Sequence, residues 1–134
     1  MEPETIEVER VKAYWLAEAV EALEVADHLM EKADYSYALF FGHLAIERVL
    51  KTLYVARHQE HAPSSHNLLR LAKAVGVDLD DVRTEALITI TAFNIEARYP
   101  DFKRMFRRMC TAEYTTCHMT TIRGMFQWLR TQIP

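Results

Sequence analysis

Glycine and proline are scarce. There are three glycines and four prolines among 134 residues, about 5% against roughly 12% in an average protein. Sheet folds reverse direction every 8–12 residues or so and draw on Gly, Pro and Asn to do it. Here glycine stands only at 42, 76 and 124, and asparagine only at 67 and 94, which argues against a sandwich, a barrel or a Rossmann unit. Cysteine is scarce too. Cys110 and Cys117 form neither a CxxC pair nor a disulfide framework. Both are expected as small buried apolar residues sharing a helix face, in a reducing compartment. No run of 18 apolar residues is present to span a membrane. The opening MEPETIEVER is acidic and polar, unlike a signal peptide. A cytoplasmic protein without a membrane partner is therefore expected. Half of the residues are hydrophobic and the net charge is only −3, which is not the composition of a disordered chain. What remains is a single all-α domain over residues 1–134, long enough for one core without metal or disulfide staples.

The small net charge hides an asymmetry. Residues 1–34 hold ten acids and three bases, and the remaining hundred hold nine acids and thirteen bases. Five of those bases, against one acid, fall between Arg98 and Arg108.

Helical periodicity divides the chain into four longer helices and one short one, an up-and-down bundle of four to five helices. The first runs from Thr5 to Lys32, with Val8, Val11, Trp15, Ala19, Ala22, Val25 or Ala26, and Leu29 on its apolar face. The second runs from Tyr35 to His58 behind Asp34 as N-cap. It is apolar nearly all round, the mark of a central helix. Gly42 in its middle costs about 1 kcal/mol relative to alanine, which a close helix–helix approach would explain. A short third helix, His66–Val75, is capped by Ser64 or Ser65 and stopped by Gly76. A fourth, Leu79–Ala97, starts behind Asp78 and is ended by Pro100, which pushes Tyr99 out of helical geometry. Asp101–Met109 reads either as a helical turn or as a basic loop, and a last helix covers Ala112–Thr131. Gly124, inside that helix, has no explanation from sequence.

Two constellations carry candidate chemistry. His43, Glu47, Lys51, Tyr54 and His58 recur at steps of three and four, on one face of the otherwise apolar second helix. They form either a solvated face with a Glu47–Lys51 pair or a polar seam lining a cleft or a dimer interface. The second constellation is Arg98-Tyr99-Pro100-Asp101, followed by Lys103, Arg104, Arg107 and Arg108. An arginine forks onto phosphate and a tyrosine stacks on a base, so this is either a nucleotide- or RNA-facing patch or a helix terminator with a basic loop. Other chemistry finds no pattern. There is no Glu-x-x-His pair for a di-iron centre. His58, His61 and His66 cluster around a loop without the carboxylate or cysteine spacing of a zinc site. Gly-x-Ser-x-Gly and glycine-rich phosphate loops are absent. No cofactor is implied.

Together these stretches resemble the HEPN family. Trp15 matches a frequent aromatic of its first helix, and Tyr37 to Lys51 (YALFFGHLAIERVLK) is similar to its second, with His43 in place of the usual glutamine and Arg48 in place of lysine. Ser65-His66-Asn67-Leu68 resembles the Thr-His-x-Leu that opens the family's third helix, and Ala97-Arg98-Tyr99-Pro100-Asp101 its Ala-Arg-Tyr-Pro-Asp. The resemblance implies a helical bundle that often dimerises. It also implies a frequent minimal nucleotidyltransferase partner, in several cases as a toxin–antitoxin pair. Active members are metal-independent ribonucleases with an Arg-x4-6-His motif. This chain departs from it. After Arg98 the candidate positions hold Lys103, Arg104 and Met105. Three residues lie between Arg57 and His61, eight between Arg57 and His66, and nine between Arg108 and His118. Lysine and arginine do not replace imidazole as a proton shuttle near neutral pH. The expectation is a non-catalytic binding and assembly module that binds nucleotide or pairs with a nucleotidyltransferase. Its site would comprise Arg98, Tyr99, Asp101, Lys103 and Arg104, with His43, Glu47, Lys51 and His66 beside them. The rival is a ribonuclease toxin in which His66 or His118, brought close in space, supplies the imidazole.

Overall fold

The computed structural model describes residues 6–134, and the side chain of Ala97 is not among its described features. Six α-helices follow one another: α1 Val8–Glu31, α2 Tyr35–His58, α3 Leu68–Val75, α4 Asp81–Thr91, α5 Pro100–Met109 and α6 Ala112–Thr131. A 3-10 turn at Ile95–Ala97 precedes α5, and no strand occurs among the described residues. The all-α bundle expected from composition is what forms.

The central position of α2 follows from its composition. Leu39, Ile46, Val49, Leu50, Leu53 and Val55 are fully buried, and α1, α3 and α6 all pack on this helix. Along α1 the apolar face ends in three alanines, Ala19, Ala22 and Ala26, each at most 1% exposed. Small side chains let two helix backbones approach. Gly42 of α2 does the same toward α6. A Cβ there would lie 2.7 Å from Ile122 Cδ1 and 3.4 Å from Met119 Sδ, both on α6. Gly124 has no such neighbour, since a Cβ would meet nothing within 4 Å.

The boundaries differ from expectation where tertiary contacts intervene. The expected start of the first helix at Thr5 lies outside the described residues, and α1 begins at Val8. Asp34 precedes α2 but makes no side-chain cap hydrogen bond. Asn67 rather than Ser64 or Ser65 caps α3, through its side-chain oxygen and the Arg70 N–H at 3.0 Å. Asp80 rather than Asp78 caps α4, accepting from Arg83 N–H at 2.7 Å. Gly76 closes α3 at φ +85° as expected.

The largest correction concerns residues 92–109. A helix continuing to Ala97 would point Phe93 and Ile95 about 200° apart. Both are buried, at 2% and 4% exposure, and the chain satisfies both by breaking α4 at Thr91. Pro100 then starts a helix instead of ending one. It occupies the first turn of α5, where its missing N–H is harmless, while Tyr99 before it is extended, at φ −68° and ψ 154°. The stretch Asp101–Met109 is therefore helical, anchored by Phe106 at 3% exposure. The cysteines also separate. Cys110 caps α5 and is buried, whereas Cys117 on α6 is exposed.

Candidate functional site

The first three residues of the polar stripe of α2 are neither a solvated face nor an open cleft, whereas Tyr54 is half-buried and His58 is exposed. His43, Glu47 and Lys51 are 0%, 4% and 6% exposed. A carboxylate and an ammonium buried this deeply need each other and further hydrogen bonds. Lys51 Nζ donates to Glu47 Oε2 at 3.2 Å, and His66 Nδ1 donates to Glu47 Oε1 at 2.8 Å. The ammonium also lies 5.1 Å from the Trp15 ring centroid, over α1. His43 Nε2 donates to the backbone carbonyl of His66 at 3.1 Å. The four residues thus tie α2 to α1 and to the turn that leads into α3. His66 is the one whose side chain reaches solvent. Farther along the stripe, the Tyr54 hydroxyl donates to Glu60 at 2.8 Å, and His58 Nε2 donates to the Ala74 carbonyl at 2.8 Å.

The tautomer of His43 follows from its partner. A carbonyl only accepts, so Nε2 carries the hydrogen and Nδ1 is left with a lone pair. That Nδ1 is buried without a hydrogen-bond partner. Burial holds the His43 pKa below the usual histidine value, outweighing the hydrogen bond to His66 and the Glu47 charge, which act the other way. The folded protein therefore keeps His43 neutral where the unfolded chain protonates. Stability linked to it is present above the usual value of about 6.5 and is lost as pH falls through the lower folded value. His118, also shifted down by burial, acts in the same direction. The melting temperature is expected to fall between pH 7.5 and 5.5, and His43→Gln is expected to flatten that dependence. An unchanged slope in thermal melts of the variant would assign the acid sensitivity elsewhere.

The second constellation sits at the start of α5. The Arg98 guanidinium lies 5.0 Å from the Phe102 ring centroid. Tyr99 is 86% exposed. Asp101 in the first turn of α5 and Arg104 one turn on are exposed. Lys103 Nζ stands 4.0 Å from Glu96 Oε2, a solvent-facing pair of small energetic worth. Phe102 stacks on Phe106 at 6.1 Å, Phe106 lies tilted against Phe93 at 5.5 Å, and Phe93 meets His118 at 5.2 Å. His118 thus connects to Arg98 through three phenylalanines, and it packs directly on Phe93 and Tyr114.

The structure therefore sorts the candidate residues into two groups. His43, Glu47, Lys51 and His66 form one cluster. Arg98, Tyr99, Asp101, Lys103 and Arg104 form another, and no hydrogen bond or ion pair joins the two groups among the described residues. Sequence spacing reached most of each group but missed the contacts between elements. Glu47–His66 and Trp15–Lys51 are separated by too many residues for any helical period to register.

A family model described as "HEPN domain" matches residues 13–132 of the chain. Among solved structures, the crystal structure of TT1696 from Thermus thermophilus is similar, with a TM-score of 0.77 and 23% identity over 90% of this chain and 97% of that one. At that identity the likeness is one of fold. No curated protein matches the chain.

Proposed function

The chain belongs to the HEPN domain family, and we propose that it serves there as a non-catalytic module that binds nucleotide and docks on a minimal nucleotidyltransferase. The observation that carries the reading is Tyr99, 86% exposed beside exposed Arg98 at the start of a basic helix. A large ring costs free energy in water and gains by stacking on a base. The adjacent guanidinium suits the phosphate, and the N-terminus of α5 adds favourable backbone dipoles. Lys103 and Arg104 extend the positive field, and Asp101 offers an acceptor for a sugar hydroxyl or base amine. His43, Glu47 and Lys51 of α2 form a separate cluster with His66, the member that reaches solvent and that a ligand would touch. Self-association as a homodimer and a toxin–antitoxin setting belong to the same proposal.

The absence of an Arg-x4-6-His motif supports a non-catalytic role, as does the engagement of the two candidate imidazoles. His66 Nδ1 is held by Glu47, and His118 lies against Phe93 and Tyr114. Calorimetric titration with ATP, with and without a candidate nucleotidyltransferase, tests the reading. Arg98→Ala is expected to remove about 1.5–3 kcal/mol of binding, roughly tenfold to over a hundredfold. No measurable binding in either setting would overturn it. Growth arrest on induced expression that vanishes in Arg98→Ala would instead favour the ribonuclease.

A further inference from the structure

A second place on the molecule has the makings of an anion site, away from Arg98. The turn between α1 and α2, with Ala33 at φ +60°, leads into α2 at Tyr35. An α-helix leaves its first N–H groups without intrahelical partners. The first N–H of α2 to find an acceptor there is that of Ala38, bonded to the Asp34 carbonyl at 2.9 Å. The N–H groups of Tyr35, Ser36 and Tyr37 find none among the described residues, and the Asp34 side chain does not cap them. These residues border a half-open cavity of about 300 Å³, lined on the far side by Arg107 and Cys110 of the α5 end.

Ser36 supplies the independent observation. It is only 5% exposed, and it borders the cavity. Its hydroxyl makes no hydrogen bond within the described protein, whereas the hydroxyls of Thr52, Thr91 and Thr115 each donate to a backbone carbonyl one helical turn back. Its oxygen is not sealed in the interior either, so the hydroxyl opens onto this cavity. Arg107 makes no ion pair among the described residues. Its guanidinium is 6.0 Å from the centroid of the Tyr37 ring, which borders the same space. Burial pushes the Cys110 thiol up to about 11, so it stays protonated and adds no negative charge. The opposing charge is Asp34.

We propose that the cavity between the N-terminus of α2 and the end of α5 binds a phosphomonoester, held by the backbone N–H groups of Tyr35, Ser36 and Tyr37, the Ser36 hydroxyl and the Arg107 guanidinium. Helix N-termini favour anions through their free N–H groups and dipole, and an arginine adds a charged fork. The donors favour a terminal phosphate over an internal one. Three N–H groups, a hydroxyl and a guanidinium match a dianion with three free oxygens. A phosphodiester presents two free oxygens and one charge. The cavity is larger than a phosphate alone requires, leaving room for the group that bears it.

Amide NMR spectra of the full chain test this with three probes: inorganic phosphate, 5′-AMP and the dinucleotide ApA, which has only an internal phosphodiester. Saturable shifts at Tyr35, Ser36 and Tyr37 are expected with the first two, and ApA is expected to bind about tenfold more weakly or worse. Arg107→Ala is expected to weaken 5′-AMP by about tenfold and Ser36→Ala by less. Asp34→Asn is expected to tighten it. Arg98→Ala is expected to leave these amides and their affinity unchanged, which separates this site from the Arg98 patch. The proposal is overturned if the three amides do not respond, if Arg107→Ala responds as the parent does, or if ApA binds as tightly as 5′-AMP. It is equally overturned if Arg98→Ala abolishes the response. Thermal melts of each variant confirm that it is folded.

Discussion

Glu47→Ala is expected to destabilise the fold by about 3–5 kcal/mol, enough to consume much of the 5–15 kcal/mol or so that keeps a typical domain folded. The reason is what the substitution leaves behind. Glu47 is 4% exposed and holds Lys51 and His66 with its two carboxylate oxygens. Without it, the 6%-exposed Lys51 ammonium keeps, among the described residues, the face of Trp15. A cation–π contact contributes about 0.5–2 kcal/mol, far less than stripping an ion of water costs. Urea denaturation followed by far-UV circular dichroism measures the difference. A companion variant separates charge from packing. In Glu47→Leu/Lys51→Met the pair is replaced by apolar groups of similar size, so most of the lost stability is expected to return. His66, exposed at its side chain, then finds water instead of Glu47. A Glu47→Ala loss below about 1 kcal/mol would mean the pair behaves as a surface salt bridge and would contradict its burial.

Gly42→Val is expected to cost about 3 kcal/mol, at the upper end of overpacking effects. Two terms compete. Replacing a mid-helix glycine recovers up to about 1 kcal/mol of helix propensity. Against this, even the first added carbon would lie 2.7 Å from Ile122 Cδ1 and 3.3 Å from Ile122 Cγ2. Ile122 is itself fully buried, so it has little room to withdraw. Valine adds two methyl groups to that collision, and its stiff χ1 leaves one favoured rotamer in a helix. Ile122→Ala alone is expected to cost about 2–5 kcal/mol through the cavity it opens. In the double variant the new valine fills part of that space. The combined loss is therefore expected to fall short of the sum of the two single losses by at least about 1 kcal/mol. Simple additivity in the denaturation midpoints would show that Gly42 and Ile122 do not share a contact.

Much of the architecture was legible because it depends on local chemistry. The limits of α2 and α6 are those that periodicity marks, Tyr35–His58 and Ala112–Thr131. The same holds for the Gly76 stop and the close approach at Gly42. Errors gathered where two local rules compete. A proline marks the end of one helix or the first turn of the next with equal ease. Only the burial of Phe93 and Ile95 decides that α4 stops early and that Pro100 opens α5. The choice of Asn67 over Ser64 and Ser65, or of Asp80 over Asp78, is of the same kind. All are competent caps, and the packing of α3 and α4 selects among them.

The candidate sites divide along the same line. Composition and spacing together determined an all-α domain with its most apolar helix at the centre, since these depend on side-chain type and period. The order of residues also determined that the basic residues cluster after Arg98. Which face the α2 stripe turns, and toward what, was open in the sequence: a polar row on an apolar helix is solvated or enclosed according to what packs above it. The tertiary structure decided that by laying Trp15 of α1 and the His66 turn over the row, which converts an i,i+4 surface pair into a buried network. The cavity between the start of α2 and the end of α5 was likewise invisible, because Ser36 and Arg107 meet only through folding. Long-range contacts of this sort leave no period in the chain, and their free energies come from burial, which no residue possesses until its neighbours are in place.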